Sequence, residues 1–516
     1  MLDIFRANST QQRDPLQAQR TSARELLDIG AARIGEALKD APEAQLELRG
    51  TLADMYTQLG LRERAREVHR GSVDLARAAY GTGSSRLADV LLGYASSLHE
   101  SAERARVPAL LDEAMRALVL AGERDSFLGS AALVERARHL RHEGLRAARE
   151  AADAALAHLL QHHPQRATLV TAHWLAGIAR TTARDGLGAE PHMRAAVDAA
   201  RRRGDAAAAW LIGPLAGRAE ALGLQLRLAD AEAALRESEA LALRTHGERH
   251  RDTLLSRIKL ANLWFMLGRA DAALALHDAA AVVLDAPDAR WGEPFVRMAR
   301  ALAAASWPAR GRPDLAEPAQ RAEVEEQRTL APRAAATALL ECDWALTLLG
   351  MRRLDEAEDA LQQARARWAE AGEEAAPAQG MFVLAAAALA LARGRAAEAW
   401  AAATGVRAAA PPELLRLELV RARAALALGR RDDAGALARG VLARLEELPE
   451  GWRPLAELAD AHWLLGRALM QAGDAAAARS AWAEALALRR RHDAQGSVFV
   501  AALERALARP GLAPTP

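Results

Sequence analysis

Leu26, Leu27, Ile34 and Leu38 fall on one face of a helix, and Ser22-Ala23-Arg24-Glu25 just ahead of them reads as a capping box. From there almost to the end, the chain repeats one alternation. Segments rich in Ala, Leu, Arg and Glu are broken at regular intervals by Gly or Pro. Gly81, Gly122, Pro164, Gly204, Gly247, Pro287, Pro332, Gly372, Pro411 and Gly451 form a ladder with steps of 41, 42, 40, 43, 40, 45, 40, 39 and 40 residues. Gly60, Gly144, Gly186, Gly268, Gly350, Gly429 and Gly473 form a second ladder half a period away. One unit therefore reads helix, turn, helix, turn in about 41 residues, repeated about twelve times. A lone hairpin of that size cannot bury its apolar faces, but a stack of them can. The predicted fold is an all-α solenoid.

Three units carry a finer pattern. Leu260-Ala261-x-x-Trp264 is followed by Gly268, Ala273, His277 and Ala280. Leu465-Gly466-x-x-Leu469 is followed by Gly473, Ala478, Trp482 and Ala485, and Leu52-Ala53-x-x-Tyr56 by Gly60, Ala65, His69 and Ser72. Small residues let the two helices approach, and large ones fill the gaps between them. This alternation resembles the tetratricopeptide repeat, which implies a right-handed superhelix with the first helix of each unit on the concave side. The usual unit of that family is about 34 residues. The extra length here goes into longer helices and turns. Thr245-His246-Gly247-Glu248-Arg249-His250 is similar to the turn of the long variant found in kinesin light chains, and Tyr80-Gly81 occupies the equivalent place.

At 516 residues the chain exceeds what a single compact core can organise, a limit that a solenoid escapes by growing in one dimension. We divide it into a lead-in and first helix (1–40), the solenoid (41–509) and a disordered Pro-rich tail (510–516). Apolar residues are 51% but aromatics only 4%, so the core is Ala and Leu packing. Lys+Arg is 68 against Asp+Glu 67, a net charge of +1, which favours neither nucleic acid nor an acidic membrane. The single cysteine, Cys342, allows no intrachain disulfide. Met1 to Thr10 has no signal-peptide pattern, and the longest apolar run, Met381 to Ala392, is too short to span a bilayer. The expectation is a cytoplasmic chain.

The fragments that suggest chemistry have simpler readings. His250-Arg251-Asp252 starts like a kinase catalytic loop, but Arg257 stands where that loop needs Asn, and the triplet sits at a predicted helix start. Gly81-Thr82-Gly83 and Gly186-Leu187-Gly188 lack the third glycine of a dinucleotide fingerprint and the strand that would present it. The only lysines, Lys39 and Lys259, do not follow glycine, so there is no P-loop. His158, His162, His163 and His173 are the best metal candidates, with His158 and His162 one helical turn apart. Histidines at a helix end also explain them, and we assign no metal and no cofactor. Arg201-Arg202-Arg203 and Arg489-Arg490-Arg491 end predicted second helices, where cations complement the helix dipole.

What remains is a binding surface. The resemblance places groove positions on the first helices, at Glu47, Asp54, Thr57 and Gln58, at Asn262, Phe265 and Met266, and at Asp460, Trp463, Arg467 and Gln471. We take Asp54, Gln58, Asn262, Phe265, Met266, Trp463, Arg467 and Gln471 as the partner-binding residues. Their mixed charge suits a protein or peptide better than a polyanion. The Asn and Lys carboxylate clamp of chaperone-binding members is excluded, because Asn8 and Asn262 are the only asparagines.

Phe5-Arg6-Ala7-Asn8, Asp14-Pro15 and Thr21-Ser22-Ala23-Arg24-Glu25-Leu26-Leu27-Asp28-x-Gly30-Ala31-x-Arg33-Ile34 are similar to the start of the repeat region in large bacterial serine/threonine kinases. The likeness covers about residues 1 to 80. It implies a non-catalytic sensor or docking module in bacterial signalling. The alternative is the regulatory C-terminal part of such a kinase, with the catalytic domain missing from this chain. The repeats would then be periplasmic. A helical-repeat nucleic-acid binder is a third, weaker reading.

Overall fold

The computed structural model describes residues 23–59, 61–99, 101–204, 208–286, 293–332, 334–370, 376–406 and 409–508. The lead-in and front-end residues before Ala23, the capping Ser22, the rungs Gly60, Pro287 and Gly372, and the tail lie outside them.

Among the described residues every regular element is helical. The order is α1 (Ala23–Ala37), α2 (Pro42–Gln58), α3 (Arg62–Tyr80), α4 (Ser85–Leu98), α5 (Val107–Leu120), α6 (Phe127–Leu140), α7 (Leu145–His162) and α8 (Thr168–Thr182). Then come α9 (Gly186–Arg201), α10 (Ala208–Gly223), α11 (Leu228–His246), α12 (Arg251–Met266), α13 (Ala270–Leu284), α14 (Glu293–Ala304), α15 (Pro313–Leu330) and α16 (Ala335–Gly350). The last are α17 (Leu354–Glu370), α18 (Ala376–Ala392), α19 (Ala396–Thr404), α20 (Pro411–Ala427), α21 (Arg431–Glu446), α22 (Leu455–Gln471), α23 (Ala475–His492) and α24 (Val498–Ala508). Consecutive helices pack as hairpins at α2–α3 and α4–α5, and again from α10–α11 through α22–α23. The fold is the expected all-α solenoid.

The ladder residues do the turning. Gly81, Gly122, Gly204 and Gly247 end second helices with φ of 71, 72, 73 and 84°, a region open to glycine at little cost. Gly268, Gly429 and Gly473 do the same between the helices of a hairpin, at φ 71, 74 and 90°. Gly186 and Gly350 do not. In those hairpins the left-handed residues are Arg184 and Arg352, at φ 61 and 62°, and in α10–α11 it is Leu226 at 58°. Gly186 instead opens α9, where the Asp185 side chain caps the Gly188 amide at 2.8 Å. His250 likewise caps α12 through the Asp252 amide, so His250-Arg251-Asp252 is a helix start.

The large and small positions pack as their pattern requires. Ala53, Tyr56 and Ala65 are buried together, as are Ala261 and Ala273 beside Phe265. Several first helices also touch the next first helix (α2 with α4, α4 with α6, α10 with α12, α12 with α14, α16 with α18, α18 with α20 and α20 with α22). Among the described residues no two second helices make a comparable contact. Within each compact unit these first helices therefore lie on the inner side of the stack.

The chain divides into two compact units, one of residues 1–140 with 151–169 and one of 141–150 with 170–516. In the second unit the stack returns on itself. The Ala494 amide donates to the Arg310 carbonyl at 3.1 Å, and Val498 donates to Gly311 at 3.3 Å. Gly311 has φ 77°, and a Cβ there would meet Ser497 Oγ at 2.1 Å. Arg269 donates to the Gly451 carbonyl at 3.1 Å and stacks over Trp452. The turn between α14 and α15 is thus docked on the connection between α23 and α24. No described helix is long and apolar enough to cross a membrane.

Candidate functional site

α20 and α22 repeat one charged spacing. Glu413, Arg416 and Arg423 on α20 recur 44 residues later as Glu457, Asp460 and Arg467 on α22. Offsets of three and seven keep each set on one helix face. Both are first helices, so the two sets line the inside of the second unit.

An alternating network of charge connects them. Arg416 Nε donates to Glu457 at 3.0 Å, and Arg423 donates to Asp460 at 2.7 Å. The other Asp460 oxygen takes the buried Arg489 of α23. Arg184, from the α8–α9 turn, pairs with the fully buried Glu413, 229 residues away. Asp343 of α16 faces Arg184, Arg416 and Glu413. Its side chain is open to water, yet burial pushes its carboxyl up against the pull of Arg184 and Arg416. Burial also works against Arg416 and Asp460. Glu457 and Glu413 overcome it for Arg416, and Arg489 and Arg423 hold Asp460 below the usual carboxylate range.

Arg467 departs from this pairing. It is half-buried, burial and neighbouring Arg423 both lower its pKa, and no ion pair reaches it among the described residues. Its neighbour Arg423 lines a small cleft with Asp460, Trp463, Arg489 and Phe499; Arg467 itself is not part of that lining. The arrangement suits a carboxylate, which two adjacent guanidinium groups hold through charge-assisted hydrogen bonds.

The remaining predicted groove residues divide. Asp54 is exposed on α2, and Gln471 is exposed at the end of α22. Gln58 closes α2, and its side chain lies outside the described residues. Asn262 Nδ2 donates to the Leu302 carbonyl at 2.8 Å, binding α12 to the neighbouring first helix. Met266 is half-buried against the α10–α12 core. Phe265 is 1% exposed and covered by the Arg310 guanidinium 3.9 Å from its ring centre. Trp463 is 5% exposed and packs on Trp482. These two aromatics are core residues, although Trp463 also lines the cleft. The large side chains expected at the groove surface turn inward because the second unit closes upon them.

Asp343, Glu413, Arg416, Arg423 and Arg184 were not anticipated. The identical spacing of charges on α20 and α22 was a usable signal for three of them. Nothing local marks Arg184. Arg201 pairs with Glu237 at 2.7 Å, and Arg489 and Arg490 pair with Asp460 and Glu504, as cations at helix ends do. His173 lies beside His192, and burial lowers its pKa to about 4.

No family model matches this chain, and neither does any curated protein. Among solved structures it is similar to one from the APC/C hetero-tetramer Cut9-Hcn1, at 14% identity over 94% of each chain, with a TM-score of 0.37. It is also similar to yeast Tom70, at 14% identity over 87% of this chain and 93% of that one, with a TM-score of 0.30.

Proposed function

We propose that this chain is a non-catalytic scaffold whose inner groove takes a segment of a partner protein. The observation that carries this reading is Arg467, a half-buried cation beside a second guanidinium and without an acid of its own. Leaving a charge so placed costs free energy that a partner carboxylate would offset. Both signs are mixed along the groove through Asp343, Arg416, Glu457, Asp460 and Arg423. That supports a mixed-charge peptide over nucleic acid, which calls for a continuous basic strip. Asn262 and Met266 on α12 and Gln471 at the end of α22 are further groove positions of the second unit, and Asp54 on α2 is one of the first unit.

The setting we propose is bacterial signalling in the cytoplasm, on the likeness of residues 1 to 80 to the repeat regions of serine/threonine kinases. Affinity capture from source cells tests the binding claim. Wild-type chain recovers a specific protein, and Arg467→Ala with Arg423→Ala loses it while the helical circular dichroism is unchanged. Equal recovery by both chains overturns the assignment of the groove.

A further inference from the structure

We propose that Asp125, His158 and His162 bind one divalent transition-metal ion, with zinc the first candidate. His162 ends α7, and His158 lies one turn before it on the same face. The turn ahead of α6 brings Asp125 to them across 33 residues of sequence. One ligand atom from each residue lies within 4.8 Å of the others. His158 Nε2 and Asp125 Oδ1 are 3.4 Å apart. Two ligands of a tetrahedral ion with bonds of about 2.0 Å stand about 3.3 Å apart, so this edge is already formed.

The neighbouring groups prepare the ligands. Ser130, fully buried, stands 2.9 Å from His158 Nδ1. When the hydroxyl accepts the Nδ1 proton, the Nε2 lone pair is free and points at Asp125. His163 Nε2 lies 3.1 Å from the Asp125 carbonyl and holds that turn against the helix. Two imidazoles and one carboxylate favour zinc, nickel or copper over magnesium or calcium. Asp125 and His162 are exposed, so a fourth position is open to water or to a donor from another molecule.

A second cluster, His246, His250 and Asp252, has similar composition but opposite preparation. His250 Nδ1 accepts from the Asp252 amide at 3.3 Å to cap α12. In a neutral ring Nε2 then carries the proton, and metal binding there would break the cap.

Calorimetric titration of zinc into the tag-free, chelator-treated full chain tests the proposal. One equivalent binds to wild type. Asp125→Ala and His162→Ala change exposed side chains, leave the helical signal intact, and weaken that equivalent by tenfold or more. Ser130→Ala weakens it by about tenfold, the scale of lost outer-shell support. The His246→Ala, His250→Ala double variant keeps it. Absence of zinc binding to wild type, unchanged affinity in Asp125→Ala and His162→Ala, or loss confined to the His246 and His250 variant would each overturn the assignment.

Discussion

The ring of Trp482 lies directly on the backbone of α22 at Gly466, where an added Cβ would meet the indole Cδ1 and Nε1 at 2.4 Å. The same indole donates to the Trp463 carbonyl at 3.2 Å. One glycine thus sets how closely α22 and α23 approach, and with it the position of Asp460 and Arg467 above the cleft. Gly466→Ala should destabilise the chain by roughly 1–3 kcal/mol, the usual cost of overpacking. Gly440, exposed in α21 with nothing near its Cβ position, is the control. Gly440→Ala should stabilise by up to about 1 kcal/mol. Urea unfolding of the two variants gives both signs.

Arg489 holds the return of the stack in the second unit. It is 3% exposed, binds Asp460 and Asp493, and donates to the Ala309 carbonyl at 2.9 Å. Arg489→Ala leaves two carboxylates without their buried cation and should cost about 3–5 kcal/mol. Hydrogen exchange should then quicken first at 307–312 and 493–498. Uniform loss of protection across the chain would show that the return contact has no separate stability.

Two histidines make stability fall in mild acid. Burial, chiefly, lowers the pKa of both His139 and His173 from 6.5 to about 4. An unfolded chain takes up these protons near pH 6.5, whereas the folded chain does not until about 4. The contribution is complete above the unfolded value and is lost as pH falls between the two, by roughly 2–3 kcal/mol per histidine. His139→Gln should flatten that part of the stability profile, as measured by urea midpoints from pH 7 to pH 4.

Cys342 is fully buried in α16, and burial raises its thiol pKa well above the ordinary value. It should resist aromatic disulfide reagents in the folded chain and react at once in denaturant. Because α16 also carries Asp343, labelling kinetics report opening of the groove wall. Fast labelling under native conditions would mean that this hairpin opens locally.

The fold was legible because hairpin stacking writes itself into sequence at short range. Gly81, Gly247 and Gly268 turn where the ladders place them, and Tyr56, Ala261 and Trp482 pack where the large and small pattern places them. Arg184 and Arg352 show the limit: each tolerates a left-handed φ two residues from the glycine expected there, so the rung marks the turn but not its strained residue. The site was less legible. Arg467 was readable as a groove position, whereas its isolation depends on where Arg423 and Asp460 point. The burial of Phe265 under Arg310, and the pairing of Arg184 with Glu413, join segments far apart in the chain. No periodicity encodes such contacts. Asp125 was missed beside His158 for the same reason.

A photo-crosslinking amino acid placed at the exposed Gln471, one turn beyond Arg467 on α22, compared with one at the exposed Arg479 of α23, tests the groove most directly. The account predicts a discrete crosslinked protein from position 471 in source cells, lost on adding Arg467→Ala and Arg423→Ala, and none from position 479. Equal crosslinking from both positions, or from 479 alone, would contradict it.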